Sequence, residues 1–232
     1  MLTRYERDGA VSTIVMDDGK VNALSPAMFR ELNAALDRAQ ADETVVLLTG
    51  REGRFSGGFD LGVFKQGKDA ALEMLLAGAR TAERLLGFPA PVVIACNGHA
   101  IAMAAFLLTT ADLRIGVANP AAKICANEVQ IGLTLPYFAV ELSRQRLAPA
   151  HFDSALGISR IYDPEGAREA GFLDMVVPET ELLRVAKERA LALASLVRSA
   201  HVATKLRTRA AALAAVRSAI EADLEDWKTR LG

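Results

Sequence analysis

Few residues in this chain join an ionisable side chain to surroundings apolar enough to make proton transfer useful. Glu128 does, in Ala126-Asn127-Glu128-Val129-Gln130-Ile131-Gly132, just after a strand-like run. A carboxyl placed there is partly desolvated, which raises its pKa toward the range for moving protons. Position alone also suits a surface or helix-capping glutamate, and both readings stand at this point. Asp60 follows a double glycine, where capping the next helical turn is the simpler role than catalysis. His99 is a candidate base, but no carboxylate neighbours it in sequence to orient the ring, so a hydrogen-bonded structural histidine is the plainer reading. Ser56 has Arg54 where the first glycine of a Gly-x-Ser-x-Gly elbow would stand, which disfavours a serine hydrolase.

Two segments could serve such a carboxyl by holding a developing negative charge. Val45–Thr49 runs into Gly53-Arg54-Phe55-Ser56-Gly57-Gly58-Phe59-Asp60-Leu61, and Val92–Cys96 runs into Asn97-Gly98-His99-Ala100-Ile101-Ala102-Met103-Ala104-Ala105. In each, a buried strand meets a small-residue turn that opens a helix. Backbone N–H groups at such a turn point outward where positive partial charge collects. Two of them facing one point would make a two-donor pocket for an oxyanion. Neither turn matches a phosphate P-loop or a dinucleotide fingerprint.

The elements that must position these residues follow from periodicity. Strands are expected at Val11–Met16, Val45–Thr49, Val92–Cys96, Asp112–Ala118, Lys123–Ala126 and Asp174–Val177. Ser25-Pro26 starts a helix with Phe29, Leu32 and Leu36 on its apolar face. A second helix runs from Ala70 to Leu86, with Leu72, Leu75, Leu76 and Ala79 on one side. Further helices are expected over Tyr137–Leu147, Pro149–Gly157, Pro164–Ala170 and Glu179–Val197. The last stretch, from Val202, places Leu206, Leu213, Val216, Ile220 and Leu224 on one helical face. Such a face packs either on a partner chain or back on its own. Alternating strands and helices indicate an α/β fold with right-handed crossovers and parallel strands covered on both sides.

Composition narrows the class. The 232 residues are 51% hydrophobic and 24% charged, with a net charge of −1, so no basic footprint for nucleic acid exists. Cys96 and Cys125 lack metal-ligand spacing and read as small core residues. The first residues lack the apolar stretch of a signal peptide, and charged residues or proline interrupt every apolar run short of a membrane span. A cytoplasmic protein without metal or membrane partner is the expectation.

Taken together, Asn22-Ala23-Leu24, Phe55–Leu61, Asn97–Met103 and Asn127-Glu128 resemble, in order and spacing over residues 5–195, the crotonase family of enoyl-CoA hydratases and isomerases. The resemblance implies a spiral of ββα repeats binding an acyl-CoA thioester, with CoA as part of the substrate and no separate cofactor. It implies a core over 1–195 and a helical trimerisation region over 196–232, the assembly being a homotrimer or a dimer of trimers. Carried over, the backbone N–H groups of Phe59 and Met103 would hold the thioester oxygen. Asn22, Ala23, Leu24, Ser56, Gly57, Gly58, Asp60, Leu61 and Phe106 would line the substrate site. Lys20, Lys65 and Lys68 are the basic residues available for CoA phosphates, and Lys205 is a weaker candidate in the tail.

The chain departs from the family pattern at two places. Met103, Ala104 and Ala105 replace glycine and other small residues, which reshapes the pocket without removing a backbone donor. Phe106 stands where hydratases carry the first of two glutamates that orient the added water, leaving Glu128 alone. With Pro136-Tyr137-Phe138 following, this resembles the single-glutamate Δ3,Δ2-enoyl-CoA isomerases of fatty-acid β-oxidation. A weak one-carboxylate hydratase and a non-catalytic acyl-CoA-binding protein are the alternatives.

Overall fold

Unbroken apolar runs become the inner strands of a sheet with both faces covered. The computed structural model describes residues 1–230; positions 231 and 232 of the expected tail lie outside the described residues. The chain opens with β1 (Thr3–Asp8) and β2 (Val11–Met16), an antiparallel hairpin turning at Gly9, whose φ is +58°. After the two-residue β3 (Ala23–Leu24), helix α1 (Pro26–Ala41) begins as expected, with the Ser25 hydroxyl accepting from the Met28 N–H at 3.2 Å. Then come β4 (Val45–Gly50), β5 (Arg54–Ser56), β6 (Gly58–Phe59), α2 (Leu61–Phe64) and α3 (Lys68–Leu86). The second repeat is β7 (Val92–Cys96), β8 (His99–Ile101) and α4 (Met103–Thr110), followed by β9 (Leu113–Val117) and β10 (Ile124–Cys125). The rest holds α5 (Tyr137–Arg144), α6 (Pro149–Leu156), α7 (Pro164–Ala170), β11 (Met175–Val177), α8 (Leu182–Ala194), α9 (Arg198–Thr208) and α10 (Ala210–Arg230).

Six strands form the main sheet in the order β1-β2-β4-β7-β9-β11, parallel except for the first pair. Alternation along β4 and β7 sends Val46, Leu48, Val92 and Ile94 into the main core, which α1 and α3 help to build. Val45, Leu47, Val93 and Ala95 point the other way, onto Leu182, Ala186 and Ala190 of α8. Strands covered on both sides need apolar residues at every position, so these runs carry no polar alternation. Beside this sheet lies a small parallel one, β10-β8-β5, and β3 pairs with β6. The mixed α/β spiral and the helical end agree with the expected fold class.

The expected helix over Glu179–Val197 is shorter: a 3-10 turn covers Glu179–Glu181, and α8 ends at Ala194. The final stretch is not one helix, because the backbone breaks at Arg209, with φ −102° and ψ 6°. There the Arg209 guanidinium donates to the carbonyls of Leu86 and Thr110, both at 2.8 Å, fixing the bend. Leu206 therefore lies on α9 and is exposed, whereas the buried stripe of α10 is Leu213, Val216, Ile220, Asp223 and Trp227. That stripe packs on α3 and α5 of the same chain. Among the described residues no helix is long and apolar enough to cross a membrane.

Candidate active site

The small sheet gathers the chemistry-bearing segments. Ser56 pairs with Ala100, and Ile101 with Cys125, so the ends of β5, β8 and β10 lie side by side. The chain leaves those ends as Gly57–Phe59, Ala102–Met103 and Asn127–Glu128. Ligands of parallel sheets collect at such carboxyl ends. Gly58 makes the approach possible: a Cβ there would lie 2.6 Å from the Ile101 carbonyl oxygen and 3.1 Å from the Ala102 Cβ, and its φ is +86°. The two turns are therefore in direct contact, and Phe59 and Met103 each follow the touching residues by one or two positions.

Their backbone donors are free of regular partners. The Asp60 N–H donates to the Leu24 carbonyl at 3.4 Å. Alternate residues of a parallel ladder face the same neighbour, so the Phe59 N–H faces away from β3. Met103 is the first residue of α4, where no intrahelical acceptor exists. Ala102 before it holds φ 53° and ψ −123°, a conformation that side chains rarely adopt. Met103 is buried as a whole residue, main chain included, and its neighbour Ala102, not Met103, lines the adjoining cavity.

A cavity of about 320 Å³ opens at this junction, lined by Gly57, Phe59, Leu61, Phe106 and Glu128 among the expected residues. Glu128 is 7% exposed, and its Oε2 is occluded without any hydrogen-bond partner. Desolvation pushes its carboxyl up from 4.5 to about 7, against a small lowering by its own backbone N–H. Phe106 beside it is 1% exposed and offers no hydrogen-bonding group.

Other expected residues build the frame and stay off the cavity wall. Asn22 is fully buried, its amide donating to Met16 O at 2.9 Å and Phe55 O at 3.1 Å while its Oδ1 accepts from the Asp18 N–H at 3.0 Å. With φ 54°, it ties the end of β2 to β5. The Ser56 hydroxyl donates to the Asn22 carbonyl at 2.6 Å and accepts from the Gly58 N–H at 3.1 Å, fixing the glycine turn. Leu24 is fully buried and Ala23 half-buried, and their strand pairs with Gly58 and Phe59. Asp60 caps α2, accepting from the Gly62 N–H at 2.9 Å. The His99 Nδ1 accepts from the Lys123 N–H at 3.0 Å, a structural role. Cys96 and Cys125 are buried core thiols, pushed up to about 12 and about 11 mainly by desolvation. Lys205 lies buried against Asp112, away from this cavity.

Sequence reasoning missed the wall supplied by α10. Trp227, Asp226 and Arg230 line the cavity with Phe64, Leu75 and Phe138. Trp227 meets Phe138 edge-on, with centroids 6.3 Å apart. The buried Asp223 carboxylate holds this wall by accepting from the N–H groups of Tyr137 and Phe138 at 2.7 and 2.8 Å. The signal was present: continuing the Leu213–Ile220 spacing reaches Trp227, but an aspartate in the stripe disguises it.

The enoyl-CoA hydratase/isomerase family profile matches residues 6–229. Enoyl-CoA hydratase EchA3 of Mycobacterium ulcerans is 44% identical, with a TM-score of 0.93 over 98% of this chain and 99% of that one. The enoyl-CoA isomerase of Mycobacterium tuberculosis, solved without ligand, is 45% identical at a TM-score of 0.90, covering 95% of this chain and 96% of the other. Human mitochondrial Δ3,Δ2-enoyl-CoA isomerase is 25% identical at a TM-score of 0.94, over 100% of this chain and 92% of that one.

Proposed function

The chain belongs to the enoyl-CoA hydratase/isomerase family, and from that premise we propose that it shifts the double bond of a 3-enoyl-CoA to the 2-position, with Glu128 as the only acid and base. The observation that carries this reading is one occluded, unpartnered carboxyl in a cavity that also holds Phe106, where a second acid would be needed to hold water.

In this reading the thioester oxygen sits between the N–H groups of Phe59 and Met103. Ionised Glu128 removes a proton from C2, and the electron pair spreads through C2 to C4 and onto the thioester oxygen as a dienolate. The protonated carboxyl then returns the proton to C4 while the C2–C3 double bond forms, restoring the starting glutamate. No water is consumed. Each oxyanion donor contributes on the order of 10²–10³ in rate. A carboxyl balanced near neutral pH loses and regains its proton with little bias, which suits both halves of the step. Phe106 and the wall of Phe138 and Trp227 keep solvent from the dienolate. The exposed apolar side chains Ile131 and Leu133 at the cavity, with Val129 and Ile158, support the expected assembly of several copies, and sedimentation of the full chain tests for a trimer or its dimer.

The deciding experiment offers a 3-enoyl-CoA and a 2-enoyl-CoA to the wild type and to Glu128→Gln, following migration and hydration separately. Migration should exceed hydration in the wild type and fall by about 10²-fold or more in the variant. Hydration faster than migration would make the protein a one-carboxylate hydratase. Tight acyl-CoA binding with neither reaction would make it a binding protein.

A further inference from the structure

Beyond the other end of α4 a second cavity, about 570 Å³, lies between the C-terminal ends of α4 and α5 and one face of α9. The eight residues of α4 put about 12 Å between it and Met103, at 1.5 Å per residue. Its charged lining is Asp112, Arg146, Lys205 and Arg209. The single carboxylate is already taken: Asp112 accepts from Lys205 at 2.7 Å, from Arg209 at 2.8 Å and from the Val92 N–H at 2.7 Å. Arg114 nearby is forked onto Asp174. Arg146 donates only to the Ala111 carbonyl, at 2.7 Å, and has no carboxylate within 4.0 Å among the described residues.

Three cations thus face one anion. The carbonyls of Leu86, Thr110 and Ala111, at two helix ends, offset part of the excess but carry no full charge. Lys205 is 5% exposed and Arg146 half-buried, so solvent offsets the excess only in part. The Arg146 Nε and the His201 Nε2 are occluded without partners at the same place. Burial pushes Lys205 down to about 8 and Arg146 down to about 10, with neighbouring guanidinium groups adding to both shifts. Thr204 on the cavity face of α9 adds a hydroxyl.

We propose that this cavity binds a phosphate-type oxoanion, free or as a phosphomonoester, against Arg146, Lys205 and Thr204. A guanidinium fork, an ammonium and a hydroxyl match the oxygens of a tetrahedral anion, and the bound charge balances the excess the fold leaves there. Nothing in this site depends on the acyl-CoA reading.

The test titrates inorganic phosphate into the full chain at constant ionic strength in chloride, by calorimetry and by thermal unfolding, for the wild type, Arg146→Gln and Thr204→Asp. Saturable binding with a rise in Tm is expected in the wild type, and at least tenfold weaker binding in Arg146→Gln. Thr204→Asp places a carboxylate in the cavity without changing helix propensity much. It should abolish phosphate binding and raise the Tm in phosphate-free buffer. Competition by glucose 6-phosphate assigns the site to phosphomonoesters; failure to compete assigns it to the free ion. Phosphate binding no stronger than the chloride control, binding unchanged in Arg146→Gln, or a lower Tm in Thr204→Asp would overturn the proposal. A site already filled by a side chain of a second copy would give the first of these results.

Discussion

Replacing Glu128 by glutamine should stabilise the fold at alkaline pH while destroying its chemistry. Desolvation raises the carboxyl from 4.5 in the unfolded chain to about 7 in the folded one. Between those values the native state holds a proton that the unfolded state has lost, so stability falls as pH rises through the window. At 1.36 kcal/mol per pH unit, the wild type loses about 3 kcal/mol between pH 4 and pH 8 that the glutamine variant keeps. The difference between the two proteins is the quantity to follow, since the rest of the titration cancels. Urea unfolding at fixed protomer concentration should show the variant gaining on the wild type across pH 4.5–7 and levelling off above. In thermal scans the gap should grow by about 6–12 °C for a chain of this size. A difference flat to within about 0.5 kcal/mol would mean that Glu128 titrates like a solvated side chain. The reasoning that makes it a proton carrier would then fail.

Gly58→Ala should cost about 1–3 kcal/mol and lower turnover sharply, because the new Cβ meets the Ile101 carbonyl at 2.6 Å and parts the two turns; Tm and initial rates check it. Trp227→Ala should move the preference among 3-enoyl-CoA substrates toward longer chains, with Trp227→Phe between the two, read as kcat/KM across a chain-length series. Burial pushes Asp174 upward, but the hydrogen bonds and charge of Arg114 outweigh it and hold the carboxyl below 3.8. Asp174→Asn leaves Arg114, 4% exposed, without its carboxylate; since Asp174 itself is 33% exposed, the cost should be about 1–3 kcal/mol at neutral pH. That stability is lost as pH falls through the depressed pKa, so the gap between Asp174→Asn and wild type should close on acidification below pH 3.8.

The inner strands were legible because burial on both faces demands what β4 and β7 display, an apolar residue at every step. Helix α1 was legible through Ser25 and Pro26, which act locally. The strand β1 was not, since Arg4, Glu6 and Asp8 are exposed on a sheet edge and mask its period. Strands of two or three residues, such as β3, β6 and β8, have no period to read; tertiary pairing alone makes them. The bend at Arg209 carries no glycine or proline, because distant carbonyls bound by its side chain impose it. Glu128 stood out through its apolar neighbours, and the structure adds what spacing could not, the occlusion of its Oε2. Asn22 and Ser56 illustrate the opposite case: residues matching a ligand-site motif whose side chains serve to hold the loop.

Because Trp227 of α10 closes the cavity, the pocket is unfinished until α10 has been made and has docked. On the ribosome, Phe138 and Leu75 would face water while α10 is still in the exit tunnel, leaving a greasy cleft open to other nascent chains. The latch formed by Asp223 on the first turn of α5 is what ends that exposure, so completion of the cavity and escape from aggregation arrive together.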